Sequence, residues 1–250
     1  MQGLTLVLNA AEGRLQLVLA DGAELLCAQD WAAARRGTEL LAPALERIFS
    51  GLRLRFGDLE RIACVRGPGS FTGIRLVLAT AAALARASGA LQAGLDYMQA
   101  LALGARAFGE ENAATRIWVV QHVRRDLALA QCFAWEQSEA LPRAVSGLDL
   151  LTPEQCLQRM REEAQTGMRL WAMGSALARH AEFSALPGLA TCVPARPGGP
   201  PPEDLLLLAR HAEYSCRDIE ALYARPCDAE ENPARRYAAG RGTGVRQGAP

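Results

Sequence analysis

Lysine is absent: the 27 basic residues of this 250-residue chain are all arginine. That excludes a lysine Schiff base and the phosphate-binding lysine of a Walker loop. Histidine is scarce, and His122, His180 and His211 stand far apart, in neither H-x-x-x-H nor H-E-x-x-H spacing. No helix therefore carries a metal-binding histidine pair. An excess of one charge is missing too, because 27 acids balance the arginines and the pI is near 6.8. A generally basic, nucleic-acid-coating surface is excluded. The cysteines (27, 64, 132, 156, 192, 216 and 227) are odd in number, widely spaced and without C-x-x-C, and no N-x-S/T sequon occurs, the pattern of a reducing cytosol. Met1-Gln2-Gly3 lacks a charged leader, residues 4–8 are too short for a signal core, and no apolar run approaches membrane-spanning length. A cytoplasmic protein with no membrane association is expected.

What is present is apolar content, 50% of the chain, over a length that suits one large domain or two modest ones. The organising stretch is Gly67-Pro68-Gly69-Ser70-Phe71-Thr72-Gly73, set between the short apolar run Ile62-Ala63-Cys64-Val65 and a helical pattern over 74–88. Its glycines allow positive φ or close backbone approach, and Pro68 pins one φ between two of them. Ser70 or Thr72 can accept the first free N–H groups of the helix, and those groups with the helix dipole attract anions. No lysine follows Gly73, so this is not a Walker loop, and Phe71 stands where a nucleophile elbow has serine. A plain strand-to-helix turn and a ligand cradle both remain open.

Between Gly73 and Ser88 only Arg75 and Arg86 are charged, while Ile74, Leu76, Val77, Leu78 and a series of alanines cover every side. A helix apolar all round calls for cover all round. Covering about 300 Å² of its outer face is worth up to about 7 kcal/mol before ordering costs. The cover is either another helix of this chain or a second subunit.

The chain opens with three expected strands, over 4–9, 14–19 and 23–28, the last two joined through the hairpin signal Asp21-Gly22. Thr38 reads as the cap of a helix reaching about 50. A strand over 91–94 and a helix capped by Asp96 follow Gly89. After the polar hinge 108–112, the runs 117–120 and 127–133 read as an antiparallel pair. Thr152-Pro153-Glu154 starts a helix to about 165. The stretch 195–202 is a stiff linker, 203–216 a helix laid back on the first half, and 227–250 lacks periodicity and reads as disordered. Arg124-Arg125 and the arginines of the tail, with Tyr237 as the one aromatic among them, are expected to be solvated.

The run from Gly67 to Gly73, continuing into Ile74-Arg75-Leu76, resembles the GPGSFTG signature of the TsaB (YeaZ) family. The likeness is close over 4–104 and looser beyond. It implies an actin-like ATPase, ribonuclease H-like α/β fold of two subdomains with mixed sheets flanked by helices: residues 1–107 with the glycine loop, 108–226 as a smaller second unit, then the tail 227–250. It implies a non-catalytic scaffold in synthesis of N6-threonylcarbamoyladenosine on tRNA. Such a subunit pairs with a TsaD-type transferase, has a TsaE-type ATPase as third member, meets tRNA only through the complex and forms a homodimer when alone. ATP and metal belong to the partner subunits, so no cofactor, metal ligand or catalytic residue of its own is expected. The partner interface carried over comprises Thr38, Leu41, Leu45, the loop residues Gly67, Pro68, Gly69, Ser70, Phe71, Thr72 and Gly73, and then Ile74 and Leu78.

Two positions depart from the pattern: Asn9 stands where the first strand of actin-like enzymes ends in Asp, and Gln121-His122-Val123 replaces Asp-Ala-Arg. An amide lacks the anionic oxygen that hydrated Mg²⁺ prefers. The alternative is an actin-like ATP-binding enzyme, a small kinase or nucleotide hydrolase, supported by the fold and the glycine loop. A homodimer with a regulatory or proteolytic-adaptor role shares the same interface.

Overall fold

The structure is a computed structural model, and it describes residues 3–32, 36–105, 115–135, 139–193 and 199–224. Five strands form the first sheet, in the order β3-β2-β1-β4-β5: β1 (Leu4–Asn9), β2 (Arg14–Asp21), β3 (Glu24–Ala32), β4 (Leu59–Gly67) and β5 (Leu91–Asp96). β1, β2 and β3 are an antiparallel meander, and β4 and β5 run parallel to β1. Every residue of β1 is buried because this central strand is covered on both faces, which is why it reads as a near-continuous apolar run.

The pleat sorts its side chains between two layers. Leu4, Leu6 and Leu8 pack with α1 (Gly37–Gly51) and α2 (Phe71–Ser88), whereas Val7 packs with α3 (Tyr97–Leu103) and, from much later in the chain, α5 (Pro202–His211).

The second sheet has the order β11-β10-β6-β7-β8: β6 (Thr115–Arg124), β7 (Leu127–Trp135), β8 (Arg143–Ala144), β10 (Arg169–Met173) and β11 (Thr191–Cys192), with β9 (Asp149–Leu151) pairing on β7. α4 (Pro153–Ala164) covers one face through Cys156, Leu157 and Met160. α3 closes the other. Tyr97, Ala100 and Leu103 belong to the core of the first sheet, while Met98, Ala102 and Ala105 pack with Ile117, Val119 and Phe133 of the second. One seven-residue helix is thus common to both cores.

Several expectations need correction. Thr38 does not cap α1; the N-cap is Arg36, whose backbone carbonyl accepts from Glu39 and Leu40, and Thr38 is exposed. α2 starts at Phe71 rather than Ile74, because the Ser70 hydroxyl accepts the Gly73 N–H at 3.2 Å and so fixes the first turn earlier. The last helix ends at His211, not near 216: Ala212 is extended, and Ser215 exchanges backbone hydrogen bonds with Gln92, which continues the sheet at its β5 edge. Pro202, read as linker, opens α5. The hinge 108–112, the expected boundary at 107–108, most of the linker (194–198) and the tail 227–250 lie outside the described residues.

α2 is not covered all round. Of its 18 residues, Ile74, Val77, Ala81 and Ala85 are buried, whereas Thr72, Arg75, Ala79, Ala83 and Arg86 are exposed in a stripe on the opposite side. By length and composition it is apolar enough to cross a membrane, in contrast to the reading of the runs above; here it lies along the first sheet with its most apolar face inward.

α4 carries a complete capping box, in which the Thr152 hydroxyl accepts from the Gln155 N–H and the Gln155 side chain accepts from the Thr152 N–H. Thr152→Ala should therefore lower the unfolding free energy by about 1 kcal/mol in urea titration, and Thr38→Ala should change it by less than about 0.5 kcal/mol. Equal losses in the two variants would contradict the assignment of the caps.

Candidate functional site

β4 delivers the glycine loop to the carboxyl edge of the first sheet, beside the turn that joins β1 to β2. A Cβ at Gly69 would strike the Ala11 carbonyl and one at Gly73 the Ala10 carbonyl, well inside contact distance in each case. Gly67 has φ +127°, and a Cβ there would meet the Leu222 carbonyl. The Ser70 N–H donates to the Ala11 carbonyl. The glycines are therefore explained by backbone lying on backbone. The N–H groups of Phe71 and Thr72 take no partner among the described residues, as expected at a helix start.

This loop borders an open cavity of about 580 Å³. It is lined by Ala11 to Gly13, by the loop from Pro68 to Thr72, by Gln121 to Val123 at the end of β6, and by Arg179, Leu222 and Tyr223. A smaller cavity of about 330 Å³ lies between α3, Met173 to Ser175 and Gly199 to Pro201. Glu12, Gly13 and Arg179 line both.

Glu12 ties the two sheets together across this region. Its Oε2 accepts from the Tyr97 hydroxyl at 3.0 Å, and its Oε1 accepts from the Ser175 hydroxyl. Ser175 in turn accepts the backbone N–H of His122 at 3.0 Å, and the His122 Nδ1 lies 2.9 Å from the Nε2 of buried His180. Burial, and then the neighbouring Glu12 carboxylate, hold the Tyr97 phenol well above its usual range, so it is a donor at any neutral pH. Desolvation, followed by the positive field of Arg179 and by His180, lowers the His122 pKa below 6.5.

The C-terminal segment packs along the flank of α2. The Leu222 N–H donates to the Arg66 carbonyl at 2.8 Å, the Tyr223 ring lies 5.0 Å from that of Phe71, and the Arg75 Nε donates to the Tyr223 hydroxyl at 3.2 Å. The Arg75 guanidinium also stands 3.7 Å above the Phe71 ring, within cation–π range.

The residues singled out in the sequence divide into distinct groups. Asn9 is buried and bonded at both amide atoms: its Nδ2 donates to Gln16 Oε1 at 2.7 Å and its Oδ1 accepts from the Ala11 N–H at 2.9 Å, which holds the β1–β2 turn. Gln121 reaches the cavity. Leu41, Leu45 and Ile74, expected at a partner interface, are 2%, 3% and 0% exposed and point into this chain's own core, so they support the outer face without forming it. Leu78 is half-buried, Gly67 and Pro68 are buried, and Thr38, Gly69 and Thr72 are exposed. Period counting marks the inward side of α2 at 74, 77, 81 and 85 and so could have separated these classes. No sequence signal marked Glu12, Tyr97, Ser175 or Arg179, because they are brought together only by the approach of the two sheets. Among the described residues no three His, Cys, Asp or Glu side chains gather as a metal site.

Two mixed sheets flanked by helices, with a cleft bounded by the β1–β2 turn and the end of β6, make this an actin-like ATPase fold. Within that class its fold is similar to that of YeaZ. An uncharacterized protein of Pseudomonas aeruginosa with similarity to peptidase YeaZ matches at TM-score 0.69 and 20% identity, over 89% of this chain and all of the other. YeaZ from Pseudomonas aeruginosa matches at TM-score 0.63 and 20% identity, over 83% of this chain and 91% of that one. The family model TsaD, tRNA N6-adenosine threonylcarbamoyltransferase, matches residues 31–117, which include the glycine loop and α2. A tRNA N6-adenosine threonylcarbamoyltransferase of Erythrobacter litoralis is 34% identical over 74 residues, 30% of this chain, and the match spans only 22% of that protein's length.

The lowered His122 pKa fixes a sign. The unfolded chain binds a proton near pH 6.5 more readily than the folded one does, so this contribution to stability is complete above pH 6.5 and is lost as pH falls through the folded value. Urea midpoints should fall as the buffer is taken from pH 7.5 to 5.5, and His122→Gln should flatten that dependence; an unchanged slope in the variant would assign the effect to other groups.

Proposed function

We propose that this chain is a cytoplasmic, non-catalytic scaffold of TsaB (YeaZ) type. It pairs with a TsaD-type transferase in the synthesis of N6-threonylcarbamoyladenosine on tRNA, with a TsaE-type ATPase as a third member. The observation that carries the reading is the GPGSFTG loop leading into α2, whose outer stripe is exposed at Thr72, Ala79 and Ala83, with Arg75 and Arg86 bonded to Tyr223 and Asp218 of the C-terminal segment beside it. The small side chains Ala79 and Ala83 on that stripe let a second helix approach closely, and Thr38 of α1 borders a small cleft with Thr72 and Leu76 of α2. Two copies pair through this face when the transferase is absent.

The reading assigns ATP, metal and transfer chemistry to the partner subunits and contact with tRNA to the assembled complex. It is supported by Asn9, whose amide is engaged in the β1–β2 turn where an enzyme of this fold class keeps a carboxylate. The observation favouring the alternative, an ATP-binding enzyme, is the cavity beside the glycine loop.

Ala83→Arg places a long charged side chain on the exposed stripe. It should reduce copurification with a TsaD-type subunit at least tenfold while the thermal midpoint stays within about 2 °C of the parent. Wild-type recovery of the pair would refute the interface. Calorimetric titration of the isolated chain with ATP-Mg²⁺ separates the second reading, since micromolar binding favours the enzyme.

A further inference from the structure

The end of β6 and the turn over 174–180 are fastened to each other at successive points. The Ala176 N–H donates to the Val120 carbonyl at 3.1 Å, the His122 N–H donates to the Ser175 hydroxyl at 3.0 Å, and two imidazoles meet, with His122 Nδ1 2.9 Å from His180 Nε2. His122 is half-buried at the wall of the larger cavity, whereas His180 is 5% exposed and lies against the edge of Phe183. The same turn carries Ser175, whose hydroxyl donates to Glu12 of the first sheet, and Arg179, which lines both cavities. The histidine contact thus helps to hold the segment through which the second sheet reaches the first.

Proton count governs that contact. With both rings neutral, one nitrogen donates and the other accepts. One added proton keeps the pattern, since an imidazolium N–H still meets a bare nitrogen. A second proton gives both facing nitrogens an N–H, and the contact is lost. The surroundings work in the same direction. Burial, then the charge of Arg179 and His180, disfavours the proton on His122. Glu154, exposed at the start of α4, is an acid within the field of His180, and Glu12 lines the same cavity as His122. Arg124, Arg125 and Asp126 follow His122 in the exposed β6–β7 turn, and β7 opposes it with uncharged Ala128.

We propose that the His122–His180 pair is a proton-operated latch on the cleft between the sheets. Closed, it holds the 174–180 turn on β6 and, through Ser175, keeps the second sheet bonded to Glu12. When both rings are protonated, the turn leaves β6, the Ser175–Glu12 bond is lost, and the cavity wall carrying Arg179 moves away. The latch does not rest on pairing with a transferase.

Hydrogen exchange of the full-length chain, read by mass spectrometry between pH 7.5 and 5.0 and corrected for the intrinsic rate at each pH, tests it. Protection over 174–180 should fall about tenfold or more on acidification, while that of β10 (Arg169–Met173) changes less than about twofold. His122→Gln keeps a donor and an acceptor but takes no proton, so it should remove most of the fall; His180→Gln gives the same comparison if the first variant does not fold. Glu12→Gln, which takes carboxylate titration out of the link, should retain the fall. Constant protection over 174–180, an equal loss in β10, full pH dependence in a folded histidine variant, or its disappearance in Glu12→Gln would each overturn the proposal.

Discussion

The contact on which the rest of the structure depends is backbone against backbone: the glycine loop lies on the β1–β2 turn, with Gly69 against Ala11 and Gly73 against Ala10, and the Ser70 N–H bonded to the Ala11 carbonyl. No side chain fits between them. This approach sets where α2 begins, and with it the direction of the exposed stripe, the position of two free helix N–H groups and one wall of the cavity. Interiors transmit strain poorly relieved by repacking, so a displaced loop would displace the helix behind it.

A second constraint joins the two sheets. α3 contributes one face to each core, and Glu12 reaches from the first sheet's turn to Ser175 beyond β10 while also accepting from Tyr97 on α3. The cleft is therefore bounded by groups bonded to one another from both sides. Bonding from both sides holds these groups in one arrangement. The Arg179 guanidinium, exposed at this cleft, has no ion pair among the described residues.

Local signals were legible wherever the physics is local. Strand β1, the cap at Thr152, the Asp96 cap and the order strand, glycine loop, helix follow from short apolar runs, caps and glycine punctuation. The end of α5 was not legible, since Leu205 to Tyr214 keep a helical pattern and only the open edge of β5 draws Ser215 into an extended pairing. Nor was the inward turn of Leu41, Leu45 and Ile74 evident from composition, which shows that a helix is apolar but not which of its apolar residues the sheet will take.

By itself the sequence determined the fold class and the resemblance: seven consecutive loop residues between an apolar run and an apolar helix are a short-range pattern, and short-range patterns are written residue by residue. It also determined that Asn9 and Gln121 are amides where acids are usual. Only the tertiary structure decided which face of α2 stays open, that Asn9 is engaged while Gln121 is left with an unpaired oxygen, and that Glu12, Tyr97, Ser175 and Arg179 share one cleft. Those residues are separated by up to 167 positions along the chain, and their meeting depends on how two sheets pack about one shared helix rather than on any run of neighbours.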